Sequence, residues 1–168
     1  TGTVVMLPPE DHDPNGNPRM RAAGKALPGV EIKVVDEDGN EVPTGDVGEI
    51  MTRSSNNMLT YWNLPDATAK TMSADGWIRT GDAGYLDEDG YLFIHDRVKD
   101  MIISGGENVY PAEVENVLAQ MPEIAENGVI GVPDDKWVEV GKAIIALKPG
   151  ATLTVEQVKA HCKAKLAG

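Results

Sequence analysis

The stretch that most constrains this chain runs from Asp96 to Glu115: Asp-Arg-Val-Lys-Asp-Met-Ile-Ile-Ser-Gly-Gly-Glu-Asn-Val-Tyr-Pro-Ala-Glu-Val-Glu. It opens on charges, passes through a short apolar strand at Met101-Ile102-Ile103, reaches a Gly-Gly turn and enters a helix. Arg97 offers a planar fork of donors suited to a phosphate, a carboxylate or a ribose edge. Gly105 and Gly106 remove side chains where another molecule needs to approach the backbone. Pro111 at the first helical position fixes φ and gives up an amide that has no partner there anyway. The order implies a joint between two units, with a backbone-lined turn just beyond it. An ordinary strand, turn and helix with a surface charge cluster would satisfy the same pattern.

The 168 residues suffice for one domain or two small ones. With 41% apolar residues the chain can bury a core, and its composition is not that of a disordered segment. A formal charge of -12 argues against nucleic acid as the main partner, because a phosphate backbone calls for a basic footprint. It leaves room for a nucleotide held by a few placed residues. The lone cysteine, Cys162, has no partner for an internal disulfide, which fits a reducing compartment and a cytoplasmic location. No apolar run approaches the ~20 residues of a membrane-spanning helix. No signal peptide is visible in these residues, and Thr1 is not a natural start, which suggests a piece of something longer.

Along the chain, Thr3 to Leu7 reads as a short strand stopped by Pro8-Pro9, followed by a long polar loop from Glu10 to Lys25. Val30 to Val35 alternates as a half-buried strand should, and Gly48 to Arg53 is another. Asp36-Glu37-Asp38-Gly39 and Asp87-Glu88-Asp89-Gly90 are acidic turns between apolar runs, a strong hairpin signal. As calcium loops they fail: glycine comes fourth rather than sixth, and no glutamate stands twelfth. Pro65 to Thr71 is a short helix, and Trp77-Ile78-Arg79 a strand edge. After Lys99 the pattern changes. Pro111 to Met121 is a helix with Val114, Val117, Leu118 and Met121 on one face. Ala125 to Val132 and Val140 to Leu147 are strands, and Thr154 caps a last helix from Val155 to Leu166, with Gln157 completing a capping box.

The Asp96–Glu115 wording resembles the hinge motif of the adenylate-forming enzymes, the superfamily of acyl-CoA synthetases, luciferases and peptide-synthetase adenylation domains, and within it is closest to fatty-acyl-CoA and related acyl-CoA ligases. Gly76-Trp77-Ile78-Arg79-Thr80-Gly81-Asp82 is a second match, in the family's order and at its spacing. The resemblance covers nearly the whole chain. It implies an α+β fold: residues 1–98 as a β-rich, distorted-barrel subdomain ending the large adenylation domain, then residues 99–168 as a small α/β C-terminal lid domain. It also implies two half-reactions. A carboxylate attacks the α-phosphate of ATP with Mg2+, giving an acyl-adenylate and pyrophosphate, and CoA thiolate then displaces AMP.

The resemblance further assigns residues. Asp82 stands where the family aspartate accepts hydrogen bonds from both ribose hydroxyls, and Arg97, fifteen residues on, where an arginine meets the nucleotide. Asn108 stands where relatives often place Gln near AMP. Lys99 occupies the hinge, where one residue's torsions absorb a domain rotation. Gly105 and Gly106 are the glycines over which the pantetheine of CoA passes. Ile103 replaces a lysine of some aryl-CoA ligases, which favours the acyl branch. Glu113 and Glu115 match the motif but are read as serving the helix dipole. Val138 departs from a common Trp-Gly-Glu and is expected to alter a turn. His12, His95 and His161 form no ligand cluster, so a protein-held zinc site is not expected.

The phosphate loop with its lysine, the Thr-Glu pair that helps hold ATP, the acyl pocket and the terminal Pro-x-x-x-x-Gly-Lys segment of the family are not among these residues. Mg2+ is therefore expected to be held mainly by other parts of a parent chain. The expectation is a fragment of an AMP-forming acid–thiol ligase of fatty acid metabolism, inactive alone, acting on a small carboxylic acid with ATP and CoA. Two alternatives are an amino-acid-adenylating domain that loads a carrier protein, and a non-catalytic interaction module on an adenylating scaffold. Acyl selectivity lies in residues this chain does not contain.

Overall fold

The alternating run Val30–Val35 forms a strand that pairs antiparallel with Gly48–Ser54, and that ladder sets the first of two sheets. The computed structural model describes residues 2–166. The chain divides into two units, Thr1–Val98 and Lys99–Gly168, with a short 3-10 turn, Val98–Asp100, carrying it from one to the other. Among the described residues no helix is long and apolar enough to cross a membrane.

The first unit contains β1 (Val5–Met6), β2 (Gly24–Ala26), β3 (Val30–Val35), β4 (Gly48–Ser54), β5 (Ile78–Leu86) and β6 (Tyr91–Arg97), with helix α1 (Pro65–Thr71) between β4 and β5. They form one antiparallel six-stranded sheet in the order β1-β2-β6-β5-β4-β3. Val35, Met51 and Trp77 make a buried cluster on one face. The Trp77 ring carries Lys33 Nζ and the Arg53 guanidinium at 4.6 and 4.7 Å from its centroid, so cations complete the cover that the apolar cluster begins.

Several boundaries differ from the sequence reading. The first strand keeps only Val5–Met6 of Thr3–Leu7. The polar loop is ordered in part: 3-10 turns at Pro9–Asp11 and Pro18–Arg21 are tied down by a buried Asp11. Its carboxylate accepts from the Tyr91 hydroxyl and from Arg19, whose guanidinium also lies 4.7 Å from the Tyr91 ring centroid. The hydrogen bond to Asp11 raises the Tyr91 pKa above the ordinary phenol value. The strand edge at Trp77–Arg79 becomes nine residues of β5, so Asp82 stands inside a strand and not in a turn.

The second unit contains β7 (Ile102–Ser104), β8 (Glu107–Val109), α2 (Pro111–Leu118), β9 (Ile124–Asp134), β10 (Val138–Leu147) and α3 (Val155–Lys165). Its sheet is antiparallel throughout, in the order β8-β7-β10-β9. Ile102, Leu118, Met121, Ile124 and Val129 form the core, against which α3 packs Val158 and Cys162. Helix α2 starts at Pro111 and ends at Leu118, short of Met121, because Pro122 forbids continuation and the chain leaves by tight turns. The Thr154/Gln157 capping box is formed as read. Ala167 and Gly168, the end of the chain as read, lie outside the described residues. Glu115 does more than favour a helix dipole: Oε1 accepts from the Val129 amide at 2.8 Å and clamps α2 to β9.

Val138 adopts φ +72°, a left-handed conformation that a β-branched side chain rarely holds. Asp134 Oδ1 accepts from the amides of Lys136 and Trp137, and the strand pairings of Val138 to Asp134 and to Ser104 hold it there. The altered turn expected at this position is thus a strained one. Left-handed backbone costs a non-glycine residue about 1–2 kcal/mol, and glycine's extra chain entropy returns about 0.5–1 kcal/mol of that. Val138→Gly is therefore expected to stabilise the second unit by up to about 1 kcal/mol, read as a higher urea midpoint at unchanged slope. A lower midpoint would mean the valine side chain contributes more than its backbone costs.

Candidate functional site

Strands β5 and β6 are joined by the acidic turn at Asp87. Its Oδ1 accepts from the amides of Asp89 and Tyr91, at 3.0 and 2.8 Å, and Gly90 N donates to Asp87 O at 3.0 Å. From the closed turn the strands pair as far as Gly84 opposite Ile94, and a bulge between Ala83 and Gly84 then shifts the register by one residue and brings Asp82 opposite Arg97. Arg97 Nε lies 2.9 Å from Asp82 Oδ1 and donates to the Gly81 carbonyl at 3.2 Å. Fifteen residues of separation thus become a direct ion pair. Asp96, the neighbouring carboxylate in the sequence, is not the partner of the guanidinium. The structure has Asp96 Oδ1 accepting from the Arg97 amide, while the guanidinium pairs with Asp82.

The segment that carries Asp82 is fastened to β4. Thr80 Oγ1 donates to Ile50 O at 2.8 Å and accepts from Asp82 N at 3.1 Å. Glu49 pairs with Arg79 and accepts from Gly81 N at 3.3 Å. Gly81 is at φ +74°, which turns the backbone just ahead of the carboxylate. The Arg97 and Asp82 side chains stay 53% and 35% exposed, so the pair faces water and is open to a ligand. A pair this exposed contributes little to stability. The arrangement presents acceptor and donor groups side by side, as a diol next to a phosphate would require. Glu49 is a site residue that sequence reasoning missed; nothing in its strand pattern marks it as an anchor.

In the second unit, Gly105 and Gly106 form the two-residue turn of the β7–β8 hairpin, closed by Ser104 opposite Glu107. Their φ values of +62° and +89° are those of a turn whose twist matches its strands. The two differ in surroundings. A Cβ on Gly105 would lie 2.6 Å from the Trp137 ring, and Gly105 N donates to Trp137 O at 2.8 Å. A Cβ on Gly106 would meet nothing within 4 Å. Trp137, unremarked in the sequence except beside Val138, therefore covers half of the turn, while Lys136 Nζ lies 4.5 Å from its ring centroid. Asn108 is on β8 opposite Ile103, and both are exposed. Strand β8 was read as part of the approach to the helix. Lys99 sits in the 3-10 turn at the unit boundary, its side chain 72% exposed and 4.0 Å from Asp100.

The structure thus brings Asp82 and Arg97 together in one unit, and gathers Gly105, Gly106 and Asn108 on one hairpin of the other. Among the described residues no group of three or more His, Cys, Asp or Glu could hold a metal ion. Burial raises the Cys162 pKa, so its thiol stays protonated at neutral pH and is a poor nucleophile.

Sequence profiles match both ends of the chain: that of the AMP-binding enzymes over residues 1–62, and that of the AMP-binding enzyme C-terminal domain over residues 113–168. The chain belongs to the AMP-binding enzymes. Among its relatives in this family, a fatty acid–[acyl-carrier-protein] ligase, ScoC, of Streptomyces coeruleorubidus is 54% identical over 88% of this chain and 28% of its own length. A CoA ligase of Rhodococcus jostii acting on a methyl-dioxo-octahydroindenyl propanoate is 52% identical over 86% and 26%. Among solved structures, the amide bond synthetase McbA of Marinactinospora thermotolerans superposes with a TM-score of 0.85 at 39% identity, covering 97% of this chain and 33% of that one. The o-succinylbenzoate CoA synthetase of Bacillus subtilis, in complex with its acyl-adenylate, superposes at 0.81 with 42% identity, covering 88% and 30%. This AMP-binding chain spans about a quarter to a third of the length of such relatives.

Gly105→Ala and Gly106→Ala separate turn geometry from packing. Both replace a left-handed glycine, at about 1–2 kcal/mol. Gly105→Ala must also displace Trp137 and is expected to destabilise the second unit more, by at least about 1 kcal/mol beyond Gly106→Ala. Urea unfolding of the two variants checks the order, and equal losses would remove the packing role of Trp137.

Proposed function

We propose that this chain is the nucleotide-closing part of an AMP-forming carboxylate–thiol ligase. It would supply the ribose contact, the hinge and the thiol-facing turn, while the rest of a longer polypeptide supplies the phosphate loop and the acid pocket. The observation that carries the reading is the Asp82–Arg97 pair on adjacent strands, fastened to β4 and open to solvent. Asp82 would accept from the ribose hydroxyls of ATP. Arg97 would hold Asp82 in place through Nε and meet the phosphate side with its terminal nitrogens. Asn108 would approach the AMP moiety.

In the first half-reaction a carboxylate oxygen bonds to the α-phosphorus, and the bond to pyrophosphate breaks. This makes AMP, a good leaving group, out of a carboxylate oxygen. In the second, a thiolate bonds to the acyl carbon and AMP departs, leaving the thioester. Charge develops on phosphoryl and acyl oxygens in both steps, so positioning and electrostatic stabilisation dominate. Mg2+ would screen the phosphates. No metal-ligand cluster is built from the described residues, and no step is assigned to this chain through it. Torsion at Lys99 would exchange the surfaces that the second unit presents between the steps, and the open side of the turn at Gly106 would face the thiol arm. The domain correspondence follows: residues 1–98 would end the large adenylating domain, and residues 99–168 would form its small mobile one. A cytoplasmic location would suit the need for ATP and CoA.

The relative named as a fatty acid–[acyl-carrier-protein] ligase favours a second reading of the acceptor, a carrier-bound thiol instead of CoA. Acid-dependent AMP release, with CoA or a pantetheinylated carrier as acceptor, tests both on the full-length polypeptide that carries this chain. AMP that depends on acid and on either thiol supports the ligase. No acid-dependent AMP, or turnover by the 168-residue chain alone, overturns it.

Asp82→Asn keeps the size of the side chain and removes its charge. Hydrogen bonds to charged groups contribute about 1.5–3 kcal/mol. The variant is expected to lose about tenfold or more in kcat/KM for ATP, with the KM for the acid little changed. An unchanged KM for ATP would remove Asp82 from the nucleotide contact.

A further inference from the structure

Between β4 and α1 the chain displays an apolar surface that the proposed chemistry does not use. Met58-Leu59-Thr60-Tyr61-Trp62-Asn63-Leu64-Pro65 carries no charge, in a chain with 25% charged residues. Leu59 and Trp62 are 88% and 86% exposed, and Leu64 and Tyr61 are 56% and 41% exposed. An exposed leucine by itself is ordinary, but four large apolar side chains within six residues are a patch.

The segment is not a loose loop. The Thr68 hydroxyl on α1 accepts from Tyr61 N at 3.0 Å, donates to Leu64 O at 2.9 Å and lies 3.0 Å from the Thr60 hydroxyl. Leu64 N donates to Tyr61 O at 3.2 Å, and Asn63 takes φ +54° to make the turn. One hydroxyl therefore staples the loop in a conformation that directs Leu59 and Trp62 into solvent. Ordered apolar display without charge is the make-up of an interface core, and Trp and Tyr are the residue types that most often dominate binding energy.

We propose that Leu59–Leu64 is the docking surface for the remainder of the large adenylating domain, contributed by a longer polypeptide that carries this chain. The inference rests on the ligase reading above and extends it to a surface. Its occupant is chosen on length: in the relatives, most of the chain lies outside the matched segment, which is 28% and 26% of the two curated ones. A polypeptide of such a relative's length would have the unmatched part of the same domain available to cover this apolar seam. The segment also borders the end of the residues matched to the AMP-binding enzyme profile, which stops at Trp62.

The test places a photo-crosslinking phenylalanine analogue at position 62 of the longer polypeptide and maps the products by mass spectrometry. The expected result is a crosslink to residues preceding this chain in the same molecule. Trp62 should also be open to acrylamide quenching in the 168-residue chain and protected in the longer polypeptide, with the Trp62→Phe forms supplying the background of Trp77 and Trp137. Leu59→Ser is expected to lower the Tm of the longer polypeptide by several degrees and leave that of the 168-residue chain unchanged. Crosslinks between two copies would assign the surface to self-association and overturn the proposal. So would equal quenching of Trp62 in both forms. These outcomes are independent of the ligase reading, which fails separately if the longer polypeptide makes no acid-dependent AMP.

Discussion

The candidate nucleotide contact depends on the antiparallel register of β5 against β6. That register is set in two steps: Asp87 receives two amides of its own turn and closes the hairpin, and the bulge between Ala83 and Gly84 then shifts the pairing by one residue, so that Asp82 faces Arg97 and not Asp96. A slip of one residue would turn every side chain to the other face of the sheet. Asp82 would then no longer meet Arg97. The bulge between Ala83 and Gly84 and the left-handed Gly81 bend the strand where the carboxylate is displayed. The side chains of Glu49 and Thr80 then pin the bend to β4. The pair is thus positioned by side-chain hydrogen bonds to the backbone around it, which suits a site that must keep its geometry while remaining open to water.

The second unit solves a different problem. It has a small core, built by Ile102, Leu118, Met121, Ile124 and Val129. Its exposed hairpin must nevertheless hold two glycines in a defined place. Trp137 does this from outside the core, by covering Gly105 and accepting its amide. The cost appears next door, at Val138, whose left-handed backbone is tolerated because the Asp134 turn and two strand partners over-determine it. Strain, aromatic cover and an open glycine stand within one short stretch of surface. Both glycines stay exposed, but only at Gly106 would an added Cβ meet nothing within 4 Å.

Much of this was legible from local patterns. Alternation located β3 and β4, the Asp-Gly turns located the hairpins, Pro65 and Pro111 located the starts of α1 and α2, and Thr154 with Gln157 located the cap of α3. Each of these is a short-range rule, satisfied within a few residues. The lengths of β1, β5 and α2 were not legible, because strand ends depend on what pairs beside them and a helix end depends on where its next turn can pack. Strand β8 was missed for the same reason: three residues after a Gly-Gly turn carry no pattern of their own.

The sequence by itself determined the chemistry available: a carboxylate and a guanidinium fifteen residues apart, a Gly-Gly turn and a charged joint. Those follow from residue types and spacing, which no fold can change. Only the tertiary structure decided the partners. It paired Arg97 with Asp82 instead of its neighbour Asp96, gave Glu115 to the β9 edge, set Trp137 on Gly105 and left Trp62 uncovered. Partner choice is decided by which strands lie side by side and which face of each is turned inward, and that is a property of the whole sheet and of no single stretch within it.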